Sequence, residues 1–270
     1  MSSSIPSYTP VHLSKDDDDV RKGEIAAVIE SQLTRIHDIL DAVDSAPNKQ
    51  VSVHFDKEHQ ELVFEKALST IYDIPFDVFA KGLRDTVHDL GEQTALENGR
   101  AELLDVIDSD TIYKRHIYHL NNDIPDVHVN FLFHTKATAD SLLWLGQSIL
   151  DDARYPLPPN AFHSHERIWC IVEPIGSSQT RLLKIRHIRL IPPTTTPPVP
   201  VGAIAAILLS CYAANLDLFE HMVHSKVMAS HDNVMGSVKT SIDPTRQVNN
   251  VEPTLTMHVR DDGGAPTLVP

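Results

Sequence analysis

The stretch VGAIAAILLSCYAANLDLFEHMVHSKVMA, Val201–Ala229, decides how the rest of the chain is read. Ile204, Ile207, Leu208, Cys211, Leu218 and Met222 recur at helical spacings and keep one face apolar. Pro200 closes the proline-rich run IPPTTTPPVP, which breaks the chain from whatever precedes it. The apolar part, Val201–Ala214, is shorter than the roughly 20 residues a bilayer needs, and Asn215 and Asp217 follow at once. This is a long helix that requires a broad apolar surface to lie on.

The chain upstream supplies that surface. From Thr111 the apolar period becomes two, in TIYKRHIYHL and then in VHVNFLFHTKA. In the second run Val127, Val129, Phe131 and Phe133 share one face, and His128, Asn130 and His134 share the other. SLLWLGQSI, ERIWCIVEPI and TRLLKIRHIRLIP follow, separated by turn-rich loops rather than helices, so the sheet they form is antiparallel.

Nearer the N-terminus, residues 1–19 read as a disordered Ser- and Pro-rich segment ending in Asp16–Asp19. That acidic run complements the dipole of a helix carrying Ile25, Ile29, Leu33, Ile36, Leu40 and Val43. It lacks the alternating ligands and turn glycine of a calcium loop. QVSVHF and ELVFEKA read as a hairpin. A second helix follows, with Pro75 in its first turn, Phe76, Phe79, Leu83, Val87 and Leu90 as its stripe, and Gly91 at its C-cap. Residues 92–110 give no clear period, and Gly99 interrupts what would otherwise be a further helix. Beyond Ser230 the pattern fades into a flexible tail, 231–270, which leaves residues 20–230 as the folded domain. Helices gathered at one side of an antiparallel sheet make an α+β fold.

The formal net charge of −14, with no concentrated basic stripe, argues against nucleic acid as a partner. The two cysteines, Cys170 and Cys211, lie in apolar surroundings and read as buried free thiols of a reducing compartment. No secretory signal and no membrane span are legible, so the expected location is cytoplasmic.

Residues that would carry chemistry are sparse. His116 and His119 fall on opposite faces of a strand, His163 and His165 lack further ligands, and His221 and His224 read as solvent-facing, so no metal site is expected. No GxSxG, P-loop, HExxH or CxxC occurs, Gly176 reads as a hairpin turn, and Asp151 and Asp152 read as part of a turn. No catalytic residue and no cofactor are assigned. RLLKIRHIRL is the single local basic patch: Lys184 and Arg186 share one face and Arg189 the other, either as an exposed, salt-bridged strand face or, in part, directed at a ligand head group.

Three stretches together resemble the START (steroidogenic acute regulatory protein-related lipid transfer) domain of the helix-grip superfamily, in particular START-like proteins abundant in oomycetes. They are YDIPFDVFAKGLRDTV, LLWLGQSILDDARYPLPPNAF, and ERIWCIVEPIG with RLLKIRHIRLIPP. The resemblance spans about residues 20–230; the basic-zipper segment common upstream in the oomycete proteins is missing, and an apolar SLLWLGQ replaces their charged strand. It implies a curved antiparallel sheet wrapped around a long C-terminal helix, and an internal apolar tunnel holding a lipid or similar ligand without catalysis, with transient membrane contact. The expected lining is Phe131, Phe133, Trp144, Trp169 and Arg186 from the strands, and Ile204, Leu208, Cys211 and Tyr212 from the helix. Two alternatives stand beside this reading. One is an interaction or structural module with a filled cavity. The other is a superfamily enzyme using His134, His187 or Arg186, which requires at least two titratable groups converging in the cavity.

Overall fold

The computed structural model describes residues 11–14, 17–36, 52–56, 61–89, 95–96, 99–120, 124–193, 223 and 225–228. Its elements are β1 (His12–Leu13), α1 (Asp18–Leu33), β2 (Ser52–Asp56), β3 (Glu61–Tyr72), α2 (Phe76–Asp89), β4 (Ala95–Leu96), β5 (Gly99–Val106), β6 (Thr111–Tyr118), β7 (Val127–Ala137), β8 (Leu142–Ile149), β9 (Asp151–Asp152), β10 (Phe162–Ile175) and β11 (Gln179–Ile191). A helical turn at 225–228 is described from the C-terminal stretch.

One nine-stranded sheet runs in the order β2-β3-β11-β10-β8-β7-β6-β5-β4, with antiparallel neighbours throughout. Past the end of β8, Phe162 and His163 of β10 pair directly and in parallel with Val127 and His128 of β7. Strands normally separated by a third therefore meet at one strand spacing, about 4.8 Å, which pinches the sheet at that end. The β10–β11 hairpin is the longest ladder and turns through Gly176, whose φ of 68° suits a residue without Cβ.

Residues 92–110 correct the sequence reading, for β5 is a strand. Gly99 does not interrupt a helix but admits β6: a Cβ there would lie 2.0 Å from the Ile117 carbonyl oxygen. Only a residue without a side chain fits that approach.

The two helices cover opposite faces of the sheet, another departure from the expectation that they gather at one side. α2 turns Val78, Phe79 and Leu83 to one face, which we call inner, where Val223 and Val227 join them. α1 lies on the outer face, with Ile25 and Val28 against Tyr113, Leu132 and Ile149. Further along, Ile36 packs with Leu145, Trp169, Ile171 and Leu183. The acidic run does start α1, since the Asp17 carboxylate accepts the backbone N–H of Asp19 and of Val20.

Asp152 is more than a turn residue. Its carboxylate, almost wholly buried, takes both ends of the Arg21 guanidinium at 2.9 Å and the backbone N–H of Arg154 and Tyr155. Burial works to raise the Asp152 carboxyl, but the hydrogen bonds from Arg21 and from the two backbone N–H groups hold it below the usual carboxylate range. The pair ties α1 to the end of the sheet.

Candidate functional site

The inner face is built by simple alternation, which lets each strand present one set of side chains to α2. β7 contributes Val127, Val129, Phe131 and Phe133, as its period predicts. β8 offers Leu142, Trp144, Gly146 and Ser148, and β10 offers Phe162, Glu166, Ile168, Cys170 and Val172.

Aromatic rings form a continuous bed at its centre. Phe131 and Phe133 stack with centroids 4.7 Å apart and planes 6° apart, and Trp144 stacks on Phe133 at 5.6 Å. The His116 ring lies 5.7 Å from both phenylalanines. Gly146 makes room for this arrangement: a Cβ there would stand 3.0 Å from Phe131 and 3.2 Å from Phe133.

Polar groups are set into the apolar face. Arg186 Nη2 donates to Glu166 Oε2 at 2.7 Å, and the Glu166 backbone N–H donates to Ser148 Oγ at 2.7 Å. His116 Nδ1 lies 3.2 Å from the Tyr118 hydroxyl. Lys114 is 1% exposed, with Nζ 5.9 Å from the Phe133 ring centroid. Burial pushes the Lys114 amine down to about 7. His116 is pushed down to about 3, first by burial and then by the nearby charges of Lys114 and Arg186. At neutral pH its ring is uncharged.

The structure brings Phe131, Phe133, Trp144 and Arg186 together on this face. It sets Trp169 apart. Cys170 pairs with Trp144 in the β8–β10 ladder, so Trp169, one residue away, points to the outer face and packs with Leu145 and Ile171. Ile204, Leu208, Cys211 and Tyr212 lie outside the described residues. The alternative catalytic set also divides: Arg186 is inner, whereas His134 bonds Thr111 Oγ1 on the outer face and His187 faces Glu65 there at 4.0 Å. The reading of Lys184 and Arg186 as an exposed strand face is corrected, since Lys184 is buried and the Arg186 side chain is 16% exposed.

Sequence reasoning missed Lys114, His116, Ser148 and Glu166. A signal was available: Lys114 and His116 alternate in phase with Ile112 and Tyr118, which are core residues. Among the described residues Lys114 and His116 make no hydrogen bond to each other, and no group of three or more His, Cys, Asp or Glu is placed to hold a metal ion. A separate groove of about 300 Å³ opens on the outer side between α1 and the sheet, with Gln32, Arg35, Gln147 and Arg167 in its wall.

No protein-family model and no curated protein matches the sequence. Solved structures do match. Human StAR-related lipid transfer protein 5 aligns over 76% of this chain and 98% of its own, at 13% identity and a TM-score of 0.50. Human STARD10 aligns over 70% of this chain and 76% of its own, at 8% identity and a TM-score of 0.41. The lipid transfer and protein localization domain of human StarD13 aligns over 73% of this chain and 95% of its own, at 14% identity and a TM-score of 0.40. The antiparallel sheet with an aromatic inner face under helices is thus of the helix-grip class. Within it, the chain has the START-like fold. The likeness carries that fold and not the narrower affinity to the oomycete proteins. Among the described residues, no helix is long and apolar enough to cross a membrane.

Proposed function

We propose that this protein holds a lipid or other small apolar ligand between the inner face of the sheet and the elements that cover it, and does so without catalysis. The observation that carries the reading is the aromatic bed of Phe131, Phe133 and Trp144, with polar side chains set into its margin. Such a surface supplies apolar contact and a few oriented polar groups, the requirements of a small-molecule site. Burying an acyl chain gives about 0.8 kcal/mol per CH₂, so shape and apolarity provide the affinity and no reactive group is needed. The START-like fold supports the same reading. Transient contact with a membrane is the route by which such a ligand is exchanged. The net charge of −14 disfavours nucleic acid as a partner, and the protein is assigned to the cytoplasm.

The chain's two tryptophans lie on opposite faces, which provides the test. In Trp169→Phe the remaining fluorophore is Trp144, and a brominated acyl lipid added to delipidated protein is expected to quench it saturably. In Trp144→Phe the remaining Trp169 is expected to be quenched weakly or not at all. Equal quenching of the two, or none of Trp144, removes the proposed site.

A further inference from the structure

The charges set into the inner face do not cancel. Glu166 is taken by Arg186, and His116 is held neutral by burial. Lys114 is left over. It is 1% exposed, and among the described residues Nζ has no hydrogen-bond partner. Among the described residues no carboxylate forms an ion pair with it, and burial alone displaces its titration. A lysine whose ammonium only sheltered its stem from solvent would reach the surface with its head group. This one ends over the Phe133 ring, beside the Phe131–Phe133 stack.

The register places this head group within the face rather than at its border. Lys114 pairs with Phe131, Phe131 with Ser148, Ser148 Oγ receives the Glu166 N–H, Glu166 pairs with Ile188, and Ile188 with Phe64. One rung across five neighbouring strands therefore reads basic, aromatic, hydroxyl, acidic and apolar, and continues to an aromatic on a sixth. Among the described residues, the other charged groups on this face are Glu166, Lys184, Arg186 and Lys66, and the uncharged titratable ones are Tyr72, His116, Tyr118 and Cys170, while α2 turns the apolar Val78, Phe79 and Leu83 towards it.

We propose that Lys114 anchors the head group of the ligand, and that the ligand is an apolar acid: an acyl chain or other hydrocarbon skeleton ending in a carboxylate, which pairs with Lys114 Nζ while the skeleton lies on the Phe131–Phe133 stack. This names the ligand class of the site proposed above and rests on that reading. The Lys114 ammonium, which no carboxylate among the described residues pairs, matches one carboxylate. A phosphate monoester brings about −1.5 to −2 and leaves an excess in a dry interior. A neutral alcohol leaves the ammonium unneutralised. A charge-assisted N–H to carboxylate bond is also roughly twice as strong as a neutral one. A lysine titrating near neutrality is poised for this, since the arriving anion draws the proton onto Nζ.

The test titrates delipidated full-length protein with dodecanoic acid, its methyl ester and cholesterol. The acid is expected to bind at least about tenfold more tightly than the ester, a difference of about 1.4 kcal/mol. Lys114→Met, which removes an uncompensated buried charge and keeps the stem, is expected to abolish that preference and leave ester binding within about twofold. On the unmodified chain, affinity for the acid is expected to fall as pH rises from about 7 to about 9, because the ammonium must be formed for the pair, while ester affinity stays level. The pH series needs no variant and decides the matter even if Lys114→Met does not fold. Equal binding of acid and ester, a preference that survives in Lys114→Met, or a flat pH profile overturns the acid assignment while the apolar-ligand reading stands. If none of the three compounds binds, both fall.

Discussion

Arg186 Nη2 and Glu166 Oε2 meet at 2.7 Å on adjacent strands, with the Glu166 side chain fully buried on a face otherwise dominated by aromatic and aliphatic groups. A buried pair of this kind contributes little over an apolar replacement of both partners, but removing one leaves the other charge stranded. Glu166→Gln is therefore expected to destabilise the fold by about 3–5 kcal/mol. The double variant Glu166→Leu with Arg186→Met should recover most of that loss in urea denaturation. If Glu166→Gln alone is neutral, Arg186 has a route to solvent that this geometry does not give it.

Arg21 and Asp152 make the corresponding pair on the outer face, bidentate and essentially buried. Arg21 also lies over the rings of Tyr113 and Tyr155 at 5.6 and 5.5 Å. Arg21→Met is expected to cost about 3–5 kcal/mol and to loosen α1 before the sheet. Hydrogen exchange should show this as faster exchange of the amides of residues 21–33 at a concentration of urea that leaves β10 protected.

Gly82 is where α2 meets the C-terminal helical turn. A Cβ at this position would lie 2.5 Å from Val227 Cγ2 and 2.9 Å from the Val227 backbone. Because backbone cannot rotate away, Gly82→Ala is expected to cost about 1–3 kcal/mol despite alanine's better helix propensity. The same change at exposed Gly23 of α1, where an added Cβ meets nothing within 4 Å, is expected to be neutral or stabilising. Thermal unfolding of the two variants provides the comparison.

Acid should weaken the fold earlier than carboxylate protonation alone would. His116 and His165 are both pushed down to about 3, with burial as the first cause in each. An unfolded histidine titrates near 6.5, so between about pH 6.5 and 3 the unfolded chain takes up protons that the folded chain refuses. Their contribution is complete above about pH 6.5 and is lost as pH falls, at about 1.4 kcal/mol per unit for each residue. Asp152, held below the ordinary carboxylate range, adds a loss in the same direction below about pH 4. The urea midpoint is expected to decline between pH 7 and 5, and His116→Phe should flatten that slope. A midpoint independent of pH in this interval would show that both rings take up protons in the folded chain as they do in the unfolded one.

Much of the fold was legible because period two is unambiguous where one face is apolar and the other mixed. The period puts Val127, Val129, Phe131 and Phe133 on one face, and they stand there. The hairpin and the second helix also fall where the sequence puts them, as β2–β3 and α2. Residues 99–106 were not legible, for their burial alternates weakly and Gly99 is required by the approach of Ile117, a contact between strands that local sequence does not encode. The site was legible in part. Trp169 is not separable from the inner aromatics by sequence, because β10 is buried on both faces and so lacks the alternation that would assign it to the outer one. The sequence reading weighs His116 only as a metal ligand with His119 and does not single out Lys114, although their phase with Ile112 and Tyr118 turns both inward. The lining expected from the Val201 helix, Ile204, Leu208, Cys211 and Tyr212, lies outside the described residues.

Native mass spectrometry of the full-length protein, followed by organic extraction and analysis of whatever is released, tests the central claim most directly. A protein that binds an apolar ligand on the bed of Phe131, Phe133 and Trp144 is expected to carry an adduct of lipid mass, retained through purification and lost on extraction. Phe133→Asp should reduce its occupancy in chains that remain folded by circular dichroism. Recovery of the unmodified mass alone from several expression hosts, with no uptake after incubation with lipid vesicles, would contradict the account.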